Sequence, residues 1–513
     1  MQLFLTDYST KERATMLFNS LHFLIFLPIV VLFYFVFPKK IRYLWLLVSS
    51  YYFYMCWNAK YAILLLFSTL ITYLSGLGVH YISKAGWKEA KTIFWKKACV
   101  FASVFLNLSI LAFFKYFNFG INSLNKLFAL VHIQLNAPTL DIVLPVGISF
   151  FIFQALSYTM DVYRGDIYAE INFFRYALFV SFFPQLVAGP IERSKNLLKQ
   201  LAVPKSFSFE NLQKGLLLML WGFFLKLVFA DRLAIFVNTV YNNSNQYPGV
   251  YLILATCMFA FQIYCDFYGY STIASGAAKI LGIDLMENFH APYLATSVAS
   301  FWRNWHISLT SWFKDYLYIP LGGSRKGTFR KHLNRIIVFL VSGLWHGANW
   351  TFVIWGFLNG IYQVVGDILK PVRDKVVAVL HVNRNSIAHK CLQMMITFTL
   401  VGISWVFFRA NSVSEAFSIL SSILRIHNVW ILFDGSMFAC GLDSFNFNIL
   451  ILSLGILLFA DICKRKRISV SDVLLKQDAW ARWIVIAVSV CSILLFGIWG
   501  SGYDAASFIY FQF

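Results

Sequence analysis

Two histidines in apolar surroundings are the residues of this 513-residue chain best suited to chemistry. His346 lies between Trp345 and Gly347, bracketed by hydrophobic runs, and His306 lies forty residues earlier in a Trp-His-Ile-Ser segment. An ionisable side chain at membrane depth is costly and is by default a functional-site hypothesis. Imidazole is also the side chain that best moves a proton near neutral pH. The two segments therefore indicate proton-transfer chemistry.

For His346 the alternative is a packed histidine whose ring nitrogens are satisfied by its neighbours. Gly343 and Gly347 flank it four residues apart, and such small residues let a second helix or a ligand approach closely. Asn349 follows three residues later and adds a polar group to roughly the same face. These neighbours favour the functional interpretation.

For His306 the alternative is an interfacial cluster, formed with Arg303 and Trp305, that anchors a helix at the lipid headgroups. The sequence leaves these two interpretations open. Asp266 and Glu192 each lie beside an apolar run. Such carboxylates could orient a catalytic histidine, but pairing with Arg or Lys is the favoured interpretation.

Several kinds of site find no support. The segment 322–327, Gly-Gly-Ser-Arg-Lys-Gly, lacks the spacing of a phosphate-binding P-loop and predicts a turn. There is no GxSxG or HExxH pattern, so a serine hydrolase or a zinc protease is not indicated. The eight cysteines form no CxxC pair, so we expect buried thiols rather than a metal site or a disulfide framework.

The composition places the chain in a membrane. Hydrophobic residues make up 59% of it and charged residues only 13%, whereas a soluble domain carries roughly a quarter charged residues. Apolar segments recur along the whole length, so we predict an all-α, multi-pass protein of the plasma membrane. The net charge of +20 is assigned to loops that face the cytoplasm and anionic membrane lipids, and not to nucleic-acid binding.

Twelve segments are candidate membrane helices, and some are short enough to be re-entrant or buried. The segment near 335–366 is expected to be broken. The twelve fall near residues 17–37, 43–57, 62–82, 98–117, 142–160, 172–190, 213–230, 250–265, 335–366, 392–408, 447–463 and 483–500.

Charge predicts the orientation of the first part. The basic loops 38–42 and 84–97 are expected to be cytoplasmic, which places 118–141 outside. Strict alternation would then put the basic segment 191–214 outside as well. Either 172–190 enters the membrane and returns, or an earlier segment does not cross.

Two further segments complete the expected organisation. The polar and aromatic segment 284–334 predicts short interfacial helices on the cytoplasmic side. Residues 1–15 are predicted to be a polar extension, and 16–513 a single membrane domain.

The motifs together resemble the membrane-bound O-acyltransferase family, in particular its bacterial branch concerned with alginate O-acetylation, with teichoic acid D-alanylation as a related branch. The resemblance covers almost the whole chain. It is carried by the segments 114–120, 144–150, 161–165, 183–191, 266–271, 302–309, 315–323 and 343–349.

The resemblance implies about 11–12 membrane helices, including re-entrant segments, around a tunnel. His346 matches the catalytic histidine of the family, and His306 matches a second signature position that is Asn or His in the family. The implied reaction transfers acetyl to a hydroxyl of an exported polysaccharide or to a partner acyl carrier. His346 would be the general base, because burial favours the neutral imidazole that a base requires.

The other expected site residues position the donor or the substrate. We assign this role to Arg303, Trp305, Lys314, Asp315 and Asn349. His306 is expected to assist catalysis by stabilising the negative charge that develops on the carbonyl oxygen. No bound cofactor or metal is expected. The expected donor is acetyl-CoA or another acyl thioester from the cytoplasm, and the expected partner is a polysaccharide or an extracytoplasmic acyltransferase.

The sequence leaves three alternative functions open. D-alanyl transfer to teichoic acid is a second reaction of the same class. A transporter or flippase for sugar polymers is an alternative of another class, although no inverted repeat supports it. A scaffold subunit that leaves the chemistry to another protein is the third.

Overall fold

The computed structural model describes residues 16–133, 137–187, 189–425, 428–499 and 509. Within these ranges every regular element is a helix, so the predicted all-α class is confirmed. The predicted extension, residues 1–15, lies outside the described residues.

The first half of the chain forms helices α1 to α11. Ser20, Asn172 and Ser208 cap three of them by accepting a hydrogen bond from the backbone of the first turn. Two π-helical turns, Ala112–Tyr116 and Phe224–Ala230, join α4 to α5 and α10 to α11. The helices are α1 (Leu21–Val36), α2 (Arg42–Asn58), α3 (Tyr61–Lys84), α4 (Glu89–Leu111), α5 (Phe117–Leu130), α6 (Ile148–Arg164), α7 (Phe173–Ser181), α8 (Phe183–Leu186), α9 (Ser194–Ala202), α10 (Phe209–Phe223) and α11 (Asp231–Asn242).

The second half forms helices α12 to α22. A third π-helical turn, Lys314–Tyr318, follows α14. The helices are α12 (Val250–Ile280), α13 (Val298–Asn304), α14 (Ile307–Phe313), α15 (Gly327–His346), α16 (Trp350–Ile368), α17 (Lys370–Val379), α18 (Ile387–Arg409), α19 (Val413–Leu424), α20 (Ser444–Arg465), α21 (Val470–Leu475) and α22 (Ala479–Phe496).

Six stretches of the described chain are long and apolar enough to cross a membrane, or seven if α16 and α17, bent by 51°, count as one. The other predicted segments coincide with helices that are shorter or more polar. The 16 residues of α1 rise only about 24 Å, less than the ~30 Å of a hydrocarbon core. The six are Tyr61–Lys84, Glu89–Leu130, Val250–Ile280, Ile387–Arg409, Ser444–Arg465 and Ala479–Phe496.

The segment 172–190 is too short to cross. Helix α7 has nine residues, a rise of about 14 Å, and α8 has four. Both are buried among other helices. These lengths fit a segment that enters the protein and returns, because non-helical backbone at membrane depth needs protein around it. The short α1 equally fits the other alternative, an earlier segment that does not cross.

A buried ion cluster ties α12 to its neighbours. The ammonium of Lys226 lies 2.7 Å from Asp266 and 2.8 Å from Asp231, and all three side chains are buried. Asp266 also accepts a hydrogen bond from the backbone N–H of Ile509 at 2.8 Å. The predicted pairing of Asp266 is therefore confirmed.

Within the described residues Glu192 does not form the predicted ion pair with Arg or Lys, and the charge of the adjacent Arg193 has only a small effect on its pKa. Glu192 is fully buried and accepts hydrogen bonds from the backbone N–H of Met286 and from the side-chain amide of Asn196. Neutral donors replace the expected cation because this segment folds against the loop that precedes α13, a tertiary contact that the local sequence does not encode.

The segment 284–334 contains the predicted short helices, packed more deeply than an interfacial location requires. Phe301 and Trp302 of α13, Phe313 of α14 and Trp305 between the two helices belong to the buried core. Trp302 donates its indole N–H to Asn359 of α16 at 3.0 Å. Aromatic residues typical of a membrane interface here fill the protein interior.

Candidate functional site

The helix break predicted near 335–366 is present, and His346 lies at this break. Helix α15 ends at His346, Gly347 is its C-cap, and α16 begins at Trp350. A Cβ on Gly343 would overlap the backbone carbonyl of Phe352, so glycine lets α15 and α16 pack in direct backbone contact. We predicted that small residues around His346 would let a second helix approach closely, and this prediction is confirmed.

The imidazole of His346 is buried in an aromatic shell. Its ring centroid lies 4.9 Å from Trp345, 5.0 Å from Trp355 and 5.4 Å from Phe408, each in an edge-on arrangement. The side chain is 5% exposed. Such apolar surroundings disfavour the charged form of an imidazole, and they hold the ring in one orientation.

The end of α15 is closed by two residues from the neighbouring π-helical turn. Lys115 donates from Nζ to the carbonyls of Trp345 at 2.7 Å and His346 at 3.0 Å. Tyr116 donates its hydroxyl to the carbonyl of Leu344 at 2.6 Å. The last carbonyls of a helix lack intrahelical partners and carry negative partial charge. A lysine and a tyrosine therefore fix the backbone that carries His346.

His306 occupies a strained backbone position. It is the N-cap of α14 with φ 43° and ψ 55°, in the left-handed region, and it is 1% exposed. Asn288 holds the turn: its carbonyl accepts from the N–H of Ile307 at 2.9 Å and its side chain accepts from the Ser308 hydroxyl at 2.6 Å. Non-glycine residues in this conformation often mark functional sites.

Trp345 lies against both histidines. Its ring centroid is 5.9 Å from that of His306 and 4.9 Å from that of His346. Phe150 contacts the same indole at 5.2 Å and lies 6.5 Å from His306. Two histidines forty residues apart in sequence are thus brought to one aromatic cluster.

A cavity of about 70 Å³ reaches His346, and we call it the histidine cavity. His346, Trp345 and Lys115 form one side of it, and residues 144–150 with Val187 form the other. One water needs roughly 10–15 Å³ of such volume, so the cavity holds a few water-sized groups. His346 is therefore buried but not sealed.

A larger, polar cavity of about 360 Å³ adjoins the same lysine, and we call it the polar cavity. It is formed by α5 and the start of α16, a region that the charge pattern places on the outer side. Lys115 lines both cavities. The polar cavity is lined by Lys115, Asn118, Phe119, Asn122, Ser123, Lys126, Ala348, Asn349 and Trp350.

Two of the predicted positioning residues lie near His346. Asn349 lines the polar cavity, and its side chain caps α16 by accepting from the N–H of Thr351 at 3.1 Å. Trp305 is buried and lies 5.2 Å from Trp405, which in turn lies 5.9 Å from Trp355 of the His346 shell. Trp305 is connected to His346 through aromatic packing rather than by contact.

The three charged candidates lie elsewhere. Arg303 and Lys314 are exposed. Asp315 forms an ion pair with Arg193 at 3.0 Å, and its carbonyl accepts from Arg164 at 2.9 Å. The structure does not bring these three residues to the histidine cavity.

No individual role was predicted for Lys115 or Tyr116 from the sequence. Lys115 lies in a strongly apolar stretch, and a lysine within a membrane segment is by default a functional hypothesis. That signal could have identified it. The aromatic shell residues Trp355 and Phe408 offered no such signal, because an aromatic residue in an apolar helix is commonly packing.

Within the described ranges, no group of three or more His, Cys, Asp or Glu side chains could hold a metal ion. The eight cysteines are free thiols, but only three are buried, so the expectation of buried thiols is wrong for Cys391 and Cys491, which are exposed. The site is therefore built from imidazole, ammonium and aromatic groups.

Comparison with known proteins identifies the family. The family profile described as MBOAT, membrane-bound O-acyltransferase, matches residues 167–401. The chain is 38% identical over 402 residues to the probable alginate O-acetylase AlgI of Pseudomonas putida, a match that covers 78% of this chain and 79% of the relative.

Two other relatives are named for different substrates. The peptidoglycan O-acetyltransferase of Helicobacter pylori is 33% identical over 450 residues, covering 81% of each chain. The teichoic acid D-alanyltransferase of Bacillus subtilis is 26% identical over 257 residues, covering 48% of this chain and 65% of the relative. The sequence identity and coverage, together with the helical membrane fold, show that this chain is an integral membrane enzyme of the membrane-bound O-acyltransferase family.

Proposed function

We propose that this protein transfers acetyl from an acyl thioester to a hydroxyl of an exported cell-surface polysaccharide, directly or through an extracytoplasmic acyltransferase partner, in the plasma membrane. The observation that carries the proposal is the position of His346, buried in an aromatic shell yet lining a cavity next to Lys115. The acetyl-transferring relatives, at 33–38% identity over about four fifths of the chain, support this chemistry.

In the proposed reaction His346 is the general base. The acceptor oxygen attacks the thioester carbonyl carbon, a C–O bond forms, and the hydroxyl proton passes to the imidazole. The C–S bond then breaks and the imidazole returns the proton to the departing sulfur. A well-placed base contributes roughly 10²–10⁴ in rate, and the buried aromatic shell of His346 keeps the neutral, proton-accepting form favoured.

The two cavities suggest how the reactants approach. The acceptor enters from the polar cavity, whose hydroxyl, amide and indole groups suit a sugar, with Asn349 among them. The donor carbonyl reaches the histidine cavity from the cytoplasmic side. Lys115 lines both cavities and acts as a positioning residue, because it holds the carbonyls of Trp345 and His346, one on each side of the His346 Cα.

His306, Arg303, Trp305, Lys314 and Asp315 retain proposed roles of different kinds. The role proposed for the buried His306 is to assist the chemistry by fixing Trp345, whose ring it contacts beside His346. Trp305 supports the aromatic shell. The exposed Arg303 and Lys314 act at a distance by attracting an anionic donor such as acetyl-CoA. Asp315 acts as a positioning residue that holds Arg193 through their ion pair.

Acetyl is the proposed acyl group because similarity to the D-alanyltransferase is weaker and covers only about half of this chain. The test is mass spectrometry of the cell-envelope polysaccharides from three strains: wild type, deletion and His346→Gln. O-acetyl should disappear from one polymer in the last two, while the variant protein accumulates at the normal level.

The matched control is His389→Gln, at the start of α18 and outside the site, which should leave acetylation unchanged. Full O-acetylation in the His346→Gln strain would refute the assignment of the base. Loss of D-alanine instead of acetyl would replace the proposed acyl group. Absence of the polymer itself from the surface would favour a transporter.

A further inference from the structure

A cavity of about 300 Å³ lies at the opposite end of the helices from the polar cavity, between the α1–α2 turn, α7 and α9. Four cationic side chains line it, Lys39, Lys40, Arg42 and Arg175, and none of its lining residues is acidic. The mechanism proposed above uses none of these groups. The charge pattern places this end on the cytoplasmic side.

Arg42 is fixed in place by the fold. Its Nε donates to the backbone carbonyl of Phe37 at 2.9 Å. Its two terminal nitrogens donate to the backbone carbonyls of Lys205 at 2.6 Å and Phe35 at 2.9 Å. A guanidinium has five N–H donors, so two remain for a ligand. Its described partners are carbonyls and the rings of Tyr34 and Phe35, and no carboxylate among them neutralises its positive charge.

The other cations add to this charge. Arg175 pairs with Glu170 at 3.2 Å, which neutralises it. Lys39 and Lys40 are exposed at the mouth. The cavity thus carries about three uncompensated positive charges within one small volume, an arrangement that favours an anion.

The floor of the cavity is apolar. Leu46, Leu178, Leu201 and Ile283 form it, beneath the cations. Alongside, α1 exposes Leu32 and Val36, as expected of a surface in contact with acyl chains. A ligand that places an anionic head among the cations and hydrocarbon against leucines and α1 satisfies both parts.

We propose that this cavity binds a phosphate group supplied by the headgroup of an anionic phospholipid of the cytoplasmic leaflet. Basic pockets between membrane helices on that side are suited to such headgroups. The guanidinium of Arg42 matches phosphate oxygens geometrically, while Lys39 and Lys40 contribute as mobile point charges. The bound lipid would join α1 and α2 to α9 and the segment that follows it, where Arg42 already binds the carbonyl of Lys205.

The test titrates the purified full-length protein, in a zwitterionic detergent, with phosphatidylglycerol or with phosphatidylcholine of the same acyl chains, and measures the melting temperature. A ligand that binds the folded state raises it. Phosphatidylglycerol should stabilise the wild type at lower concentration than phosphatidylcholine. A lysine beside a bound anionic headgroup strengthens its binding about fivefold, so Lys39→Gln/Lys40→Gln, which removes two such lysines from the cavity, should raise the half-saturating concentration roughly 30-fold.

The matched control is Lys84→Gln/Lys88→Gln, which removes the same charge from exposed residues at the end of α3 and before α4. It should leave the titration unchanged. Equal effects of the two lipids on the wild type, or an equal loss in the control variant, would overturn the proposal. A third titration uses pyrophosphate without added lipid, and stabilisation by pyrophosphate but not selectively by phosphatidylglycerol would overturn the lipid as the source.

The phosphate site and the proposed acetyl transfer are tested independently. The lipid titration requires no turnover, and the His346→Gln protein should give the same titration as wild type. Failure of one proposal therefore leaves the other standing.

Discussion

The ammonium nitrogen of Lys115 lies 3.0 Å from the carbonyl oxygen of His346 and 2.7 Å from that of Trp345. A cation from the α4–α5 segment thereby closes the end of the helix that presents the histidine. The same lysine lines both cavities. The position of the proposed base thus depends on a residue more than two hundred positions away.

Replacing Lys115 with Met should therefore impair turnover more than substrate binding. The variant leaves two carbonyls of α15 without their charged donor, and a displacement of about 1 Å at a reacting group can cost about 10²-fold in rate. We expect kcat for acetyl transfer to fall roughly 10- to 100-fold with KM for the donor little changed. Lys115→Arg, which keeps the charge and can reach both carbonyls, should recover most of the rate.

The control for Lys115 is Lys126→Met. Lys126 is an exposed lysine that also lines the polar cavity but makes no contact with α15 among the hydrogen bonds of the described residues. If Lys126→Met slows turnover as much as Lys115→Met, the effect belongs to the charge of the cavity and not to the position of His346.

His306 should tolerate Asn better than Leu. Asparagine adopts the left-handed region more readily than other non-glycine residues, whereas a residue such as Leu pays about 1–2 kcal/mol there. Melting temperatures should therefore rank wild type and His306→Asn above His306→Leu. His306→Gly separates the backbone from the side chain: it relieves the φ of 43° but removes the ring. Equal melting temperatures for the Asn and Leu variants would contradict this explanation of the position.

Gly343→Ala should destabilise the protein by about 1–3 kcal/mol, the usual range for overpacking. The added Cβ would overlap the carbonyl of Phe352 and force α15 away from α16. Gly366→Ala, further along α16, places its Cβ in open space and should be neutral or stabilising by up to about 1 kcal/mol. Denaturation of the purified variants measures both, and a loss at Gly366 equal to that at Gly343 would argue against close helix contact.

The free energy of unfolding should decrease as the pH rises from about 4.5 to 7, because of the buried Glu192. It lies between α8 and α9, outside the candidate membrane spans, where burial raises its pKa to about 7 from an ordinary value of 4.5. Hydrogen bonds from Met286 and Asn196 lower the pKa by less. In this pH window the folded state holds a proton that the unfolded state has lost, so stability falls with rising pH.

The full difference at pH 8 relative to pH 4 is on the order of 3 kcal/mol. Glu192→Gln mimics the protonated acid and should flatten this part of the profile. The measurement is the melting temperature of both proteins from pH 4 to pH 8. Parallel profiles for the two proteins would show that Glu192 is ionised in the fold.

Local patterns sufficed for some features and not for others. The break after His346 was predictable because glycine-rich, polar residues interrupt an apolar run, and the pairing of Asp266 followed from the cost of a lone buried carboxylate. The neutral partners of Glu192 and the burial of α13 and α14 were not predictable, because both depend on which distant segment packs against them.

The sequence by itself determined the membrane character of this protein, its helical class and the two histidines, since these follow from hydropathy, charge and residue type. Only the tertiary structure decided that both histidines lie against Trp345, that Lys115 holds the end of α15, and that Arg303, Lys314 and Asp315 lie away from the histidine cavity. The physical reason is that a residue's type limits the chemistry it can perform, while its partners are set by packing between helices far apart in the chain.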